Sequence, residues 1–400
     1  MQAYHFVRPL LSPAHAWSAF RWQVFPAAAA DLATVAAVAS ACAPLTQLHP
    51  ILLPCQPDWL ADGAFNHLLR NFGDERATPC LPAGAAAHAE ADAACRKLRA
   101  EGRHVALEIA DGLALQNLSL ATFDHLLVDV QYARNSVPLI DLINAHQGGF
   151  SLIATGVHSH ELFDWACAKR FSLSSGEFIA VNDPRVPVDA DTTRLKLLKL
   201  LSLVVQDADT RDIEEIFRQE PKLSYNLLRL VNSVAVGPKT PITGFNQAIT
   251  VLGRRQLQRW LQLLIYANQF TQGNQPNPLL QLAASRGRQM ELLVSTQPAD
   301  PELADAGEAA FMVGIFSLLD TLLHMPMREI LAALPVAPPI AAALGERGGM
   351  LGKLLSAITN ADAGAFDVAA SMLGELGIGP RDHLEAQVAA YSWACRINLE

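Results

Sequence analysis

The feature that most constrains this chain is a change of period near residue 190. Ahead of it, short runs of β-branched and aromatic residues alternate with Ala- and Leu-rich stretches. Beyond Leu195, apolar residues recur only at helical spacing and no run reads as a strand. Such a chain divides its layers between two architectures. At 400 residues it also exceeds the usual size of one domain. Two domains are therefore expected, over residues 1–185 and 190–400. Between them lies VNDPRVPVDADT (residues 181–192), rich in Pro and Asp. Residues before each Pro favour extended backbone, and Asp191 or Thr192 can cap the next helix.

In the first half, strands are expected at residues 4–7, 19–25, 50–53, 104–109, 125–130, 150–154 and 177–181. Helices are expected between them at 27–42, 85–100 and 137–146. Strand and helix in alternation predict an α/β domain with a mostly parallel sheet, and the strand count allows a barrel. The second half is organised on residues 221–260. Pro221 suits a first helical turn, where its missing N–H costs nothing. Leu223, Leu227, Leu230 and Val231 form one apolar stripe, and Ile249, Leu252, Leu257, Trp260, Leu261 and Leu264 form a second. GPKTPITG separates the two stripes, because Pro lacks a donor and fixes φ. Asn226, Asn232 and Ser233 are placed to cap the first helix or hold that turn. Gly253 costs about 1 kcal/mol against Ala inside a helix, so close packing is expected to favour it. Further helices are expected at 279–295, 302–324, 327–334, 351–359, 363–376 and 381–397. PVAPP and GERGG read as breaks between them.

Composition excludes several classes. The chain is 51% hydrophobic and 17% charged, with a formal charge of −9 and no basic run, which argues against a nucleic-acid partner. Its six cysteines, Cys42, Cys55, Cys80, Cys95, Cys167 and Cys395, show no CxxC spacing and read as reduced buried thiols. The first residues lack the layout of a signal peptide. The apolar run over 309–319 falls short of the roughly 18 residues that a span needs. A cytoplasmic protein with no membrane partner is expected.

Three stretches carry a resemblance in the first half: KLRAEGRHVALEIADG from Lys97, FDHLLVDV from Phe123 and LIATGVHSHELFDWACAKRFSLSSGEF from Leu152. Together they resemble EAL domains. The resemblance implies a modified TIM-type barrel of a family that hydrolyses cyclic di-GMP with divalent metals. That chemistry needs several carboxylates around hard cations. Where the family carries paired aspartates stand Glu108 and Ile109, and its Lys–hydrophobic–Asp triplet stands as Leu127–Val128–Asp129. Its Ala-Glu-Gly-Val-Glu is Ala154-Thr155-Gly156-Val157-His158, Cys55 replaces a metal-binding Asn, and FRWQVFP replaces the Glu-x-Leu signature. Glu108 and Asp129 are the remaining metal candidates, as partners across strand ends. His158 and His160 would share one face of a strand, with Glu161 or Asp164 as the next ligand, but solvated histidines are the expected reading.

In the second half, EPKLSYNLLRLVNSVAVG, PITGFNQAITVLGRRQLQRWLQLL and FMVGIFSLLDTLLHMPMREILAALP resemble the HDOD domain. The resemblance implies a helical bundle akin to HD-type phosphohydrolases, associated with bacterial signalling and usually without catalysis. An HD hydrolase needs a His-Asp dyad, and Ser317-Leu318 stands in its place. Asp320 and His324, spaced i,i+4, share a helix face and are the second pair of metal candidates. Asn232, Arg254, Arg255 and Arg259 are the expected partner surface.

The two halves together predict a degenerate EAL-like β/α barrel followed by an HD-related all-helical bundle. The expected function is non-catalytic bacterial signal transduction, acting as a protein–protein interaction scaffold with no cofactor and no enzymatic activity. Other signalling proteins are the expected partners, with a homodimer also compatible. The alternatives are a cyclic di-GMP sensor without turnover and a cyclic di-GMP phosphodiesterase.

Overall fold

A computed structural model describes residues 3–73, 75–87, 89–109, 118–119, 122–185, 198–203, 205–206, 213–214, 225, 227–229, 231–232, 242, 244–267, 277–298, 303 and 305–397. The chain divides into two compact units. One holds Met1–Val181 with Asp362–Asp367 and Gly379–Val388. The other holds Asn182–Ala361, Val368–Ile378 and Ala389–Glu400.

The first unit is a closed barrel of eight strands in sequential order. Its elements run β1 (Tyr4–Leu11), β2 (Trp17–Phe25), α1 (Leu32–Ala39), α2 (Ala43–Thr46), β3 (Ile51–Pro54), α3 (Gly63–Phe72), β4 (Ala77–Leu81), α4 (Ala89–Ala100) and β5 (Ala106–Ile109). There follow β6 (His125–Asp129), α5 (Val130–Ser136), α6 (Leu139–Gln147), β7 (Ser151–Thr155), α7 (His160–Ala168) and β8 (Leu173–Ser175). β1 is antiparallel to β2 and β8, and all other pairs are parallel. Side chains alternate in and out along each strand. Leu10, Ala19, Leu52, Cys80, Ala106, Leu127 and Ile153 therefore meet as one buried cluster, with Leu173 packed against it.

Local chemistry explains the helices around this barrel. In α3, Asp62 accepts from Ala64 N at 2.7 Å, and Phe65, Leu68 and Leu69 recur on one buried face. Gly73, at φ 91°, ends the helix in a conformation that favours glycine.

Two strands are absent from the sequence expectation. In β4, ATPCL, Pro79 argues against a central strand. It is tolerated because β5 pairs with Cys80 and Leu81, leaving Pro79 outside that ladder. β8 has only three residues. The strand expected at 177–181 is instead a 3₁₀ turn, Glu177–Ala180.

Among the described residues from 182 onward, every regular element is a helix. Residues 198–203 are helical. The longer helices are α8 (Phe245–Ala267), α9 (Pro278–Val294), α10 (Ala306–Phe316), α11 (Leu319–Leu323), α12 (Met327–Ala333), α13 (Pro338–Glu346), α14 (Gly349–Asp362), α15 (Phe366–Glu375) and α16 (Pro380–Cys395). α13 is missing from the expectation because PVAPP reads as a stop. Pro338 and Pro339 in fact occupy its first turn, where an absent N–H leaves no helical bond unmade. The expected caps Asp191 and Thr192, with Pro221, Leu223, Asn226, Leu230 and Ser233, lie outside the described residues.

Leu227, Val231, Leu257, Trp260, Leu261 and Leu264 are buried, as their spacing predicts. Gly253 is not chosen for packing. Its φ is 75°, it kinks α8, and a Cβ there would meet nothing within 4 Å. The positive φ is the requirement. Close packing occurs instead where α9 crosses α10. A Cβ on Gly314 would lie 2.6 Å from the Arg286 carbonyl and from Gly287 Cα. Together α10 and α11 form a stretch, Ala306–Leu323, long and apolar enough to cross a membrane, yet 67% of it is buried inside the protein.

Candidate functional site at the barrel mouth

Because β1 runs against β2, its first residues stand at the end of the barrel where the parallel strands finish. Phe6 lies opposite Gln23, and Arg8 opposite Arg21. One strand repeat above the apolar cluster, the interior turns polar. Arg21 and Glu108 form an ion pair, their side chains 11% and 42% exposed. Arg8 Nη1 donates to Glu177 Oε1 at 2.6 Å, and its Nη2 donates to Gln23 Oε1 at 3.0 Å. Each arginine of the mouth thus holds one glutamate.

A cavity of about 190 Å³ opens here, lined among others by Arg21, Gln23, Cys55, Gln56, Cys80 and Glu108. Its thiols stay protonated. Burial, then the charge of Glu108, pushes the Cys80 thiol up to about 12, and burial raises Cys55 well above its ordinary value. Thiolate chemistry at neutral pH is therefore disfavoured here. The mouth offers guanidinium and carboxylate groups for binding instead.

The structure commits Glu108 and Asp129 to different partners. Glu108 is taken by Arg21, while Asp129 Oδ1 accepts from Tyr132 N at 2.9 Å and caps α5. Asp129 also lies against Gly156, whose φ is 67°. A Cβ at that glycine would meet Asp129 Oδ2 at 2.5 Å and His158 Nε2 at 3.7 Å. The histidines do not share a strand face, because β7 ends at Thr155. Ser159 instead caps α7, which begins at His160, and His160 Nε2 bonds the Val181 carbonyl at 2.9 Å. Glu161 pairs with Arg134 at 2.8 Å.

Among the described residues, no three His, Cys, Asp or Glu side chains gather as a metal-binding group. The residues following β5, 110–117, lie outside that set. The divalent ions that the EAL resemblance implies find no matching donor set among the described side chains. Sequence reading missed Arg8, Arg21, Gln23 and Glu177. For Arg8, Arg21 and Gln23 the signal was polar residues at inward-facing positions of β1 and β2, in step with the apolar cluster, whereas Glu177 lies in the 3₁₀ turn after β8.

In the helical unit, Asp320 Oδ1 accepts from Thr321 N at 2.8 Å, and His324 adopts φ 50° as the cap of α11. That left-handed cap takes His324 off the regular helical repeat on which its i,i+4 spacing with Asp320 relied. Asn232 is tied to Ile242: its Oδ1 accepts from Ile242 N, and its Nδ2 donates to Ile242 O, both at 2.7 Å. Arg255 is 67% exposed and pairs with Asp305. Arg259 departs from the expected partner surface. Its side chain is 16% exposed, bonds Glu291 at 2.5 Å and Glu308 at 2.8 Å, and lies 4.6 Å from the Phe311 ring centre. The alkyl stem and planar head of Arg suit such a half-buried tie among α8, α9 and α10. The side chain of Arg254 lies outside the described set.

Residues 192–322 match the HDOD domain family. Over 192 residues the chain is 28% identical to cyclic di-GMP phosphodiesterase CdgJ of Vibrio cholerae, covering 48% of this chain and 43% of that protein. It is 26% identical to the uncharacterized protein YuxH of Bacillus subtilis over 200 residues, covering 49% of this chain and 47% of that one. The chain thus aligns with less than half the length of either relative. A solved EAL enzyme, Bd1971 in its cAMP-bound form, superposes with a TM-score of 0.38 at 11% identity, covering 44% of this chain and 60% of the other. The likeness to CdgJ overturns one expectation. The absence of enzymatic activity expected from sequence is withdrawn, because a relative aligned over nearly half the chain is named a cyclic di-GMP phosphodiesterase. Behind a closed eight-stranded barrel, the chain thus carries a stretch that matches the HDOD domain family.

Proposed function

We propose that this chain is a cytoplasmic bacterial signal transduction protein of cyclic di-GMP signalling. In this reading the barrel, over 1–185, is its nucleotide-facing domain, and the helical domain, over 190–400, makes contacts with other signalling proteins. The observation that carries the reading is the mouth itself, two inward guanidinium groups, Arg8 and Arg21, beside a cavity of about 190 Å³. Guanidinium matches phosphate in shape and charge, and it binds in a bidentate manner. The likeness to CdgJ supports the nucleotide class. Exposed Arg255 and Asn232 are the surface offered to protein partners.

Calorimetric titration of the full chain with cyclic di-GMP, with and without magnesium or manganese, tests the barrel. Saturable heat that weakens at least tenfold in Arg21→Ala is the expected result. Flat heats at high protein concentration would remove cyclic di-GMP from the reading. Chromatography of the same mixtures detects linear product, and its metal-dependent appearance would assign the chain as a phosphodiesterase. For the helical domain, Arg255→Glu should abolish capture of signalling partners from the host.

A further inference from the structure

The turn Asp362–Asp367, which runs from the last residue of α14 into the first residues of α15, belongs to the barrel unit. It is seated on the groups that line the mouth. The Phe366 ring stacks on Phe6, with centres 4.5 Å apart and planes 12° from parallel. On the same ring sits the Arg8 guanidinium, 5.0 Å from its centre. Gly364, at φ 81°, makes the approach possible, since a Cβ there would lie 2.9 Å from Arg8 Nη1. Within the pair of Arg8 and Glu177, two polar atoms are buried without hydrogen bonds: Arg8 Nε, a donor, and Glu177 Oε2, an acceptor on a side chain 5% exposed. Stacking on an aromatic face, a guanidinium at the ring and a donor–acceptor pair at the edge are what a planar nucleobase uses. Phe366 fills the stacking half of that set and leaves the polar half unsatisfied.

We propose that the turn Asp362–Asp367 is a built-in plug of the barrel mouth, with Phe366 occupying the stacking position that a base of a cyclic dinucleotide takes when it binds. Docking of the plug and entry of the nucleotide then exclude one another. This rests on the reading of the barrel as nucleotide-facing. The open cavity at Arg21, about 190 Å³, lies below the roughly 300 Å³ of ordinary small-molecule sites. Gln23 joins the two regions, since it lines the cavity and accepts from Arg8 under the plug. A ligand held at Arg21 would therefore be sensed at Arg8 across one side chain.

The test is calorimetry with cyclic di-GMP on the full chain and on Phe366→Ala, together with hydrogen exchange of the wild-type protein. An aromatic stack is worth roughly 2- to 12-fold in an equilibrium constant, so Phe366→Ala should bind about that much more tightly. In wild type, amides of residues 363–366 should exchange faster as cyclic di-GMP saturates the barrel. This arm needs no variant and holds even if Phe366→Ala fails to fold. Saturable wild-type binding with unchanged exchange at 363–366, or equal affinity in the two proteins, would overturn the plug and leave the nucleotide-facing barrel standing. Flat heats for both proteins would overturn the barrel reading, and the plug with it.

Discussion

Replacing Gly314 with Ala adds one methyl group at a crossing that has no room for it. The new carbon would lie 2.6 Å from Arg286 C and O and from Gly287 Cα, about 1 Å inside ordinary van der Waals contact. These atoms are backbone, so no side chain can turn aside, and relief requires α9 and α10 to separate. Overpacking of this kind costs about 1–3 kcal/mol, while Ala gains up to about 1 kcal/mol over Gly in a helix interior. With the upper end of the cost, because only backbone can yield, the net loss is about 2 kcal/mol. Gly307→Ala, on the same helix, is the control. Its methyl would meet Asp305 Oδ1 at 3.5 Å and Glu291 Cγ at 3.8 Å, both ordinary contacts, so this variant should be neutral or slightly stabilised. A chain of two units need not unfold in one step. Hydrogen exchange of α9 and α10 amides is therefore the assay, and a loss of about 2 kcal/mol reads as roughly 30-fold faster exchange. Protection in Gly314→Ala equal to that of wild type would refute the backbone-contact account.

Arg259→Met should lower the stability of the helical unit by about 2 kcal/mol, because Glu291 and Glu308 lose a half-buried partner. Urea denaturation monitored at α8 to α10 checks this, and a change below about 0.5 kcal/mol would place the pair among weak surface bridges. Asn232→Ala removes both bonds to Ile242 and should raise exchange at the Ile242 amide about tenfold, while α9 and α10 stay protected. Burial, and then the charge of His5, lowers His383 to about 3, and burial lowers His5 to about 4, both from 6.5. Below pH 6.5 the unfolded chain takes up protons that these folded histidines refuse. Stability is therefore fully present above pH 6.5 and falls as pH drops towards 4, by up to about 1.4 kcal/mol per pH unit for each. Thermal unfolding from pH 4.5 to 7 should show that slope, and His383→Leu should reduce it.

Which parts of this molecule are legible in sequence follows from how far each signal reaches. The apolar stripe of Leu257, Trp260, Leu261 and Leu264 is local, and the structure buries each of these residues. The change from β/α alternation to helix alone is also local, and it separates barrel from bundle. Pro79 and Pro338 mislead for one reason: an absent N–H forbids a ladder or helix bond only where such a bond is due, and the neighbouring element decides that. Gly253 and Gly314 look alike in sequence, yet one answers to φ and the other to a crossing helix. The mouth was hidden because its ion pairs join residues far apart in the chain, Arg21 to Glu108 and Arg8 to Glu177. Arginines that neutralise those acids carry no local pattern that marks them as a site.

The apolar layer of Leu10, Ala19, Leu52, Cys80, Ala106, Leu127 and Ile153 closes the barrel beneath its polar end. The mouth is then a blind vestibule with a single door. Whatever enters must leave by the same opening, so arrival and departure share one barrier. A side chain across that door would slow both by the same factor, leaving a kinetic signature even where affinity hardly changes.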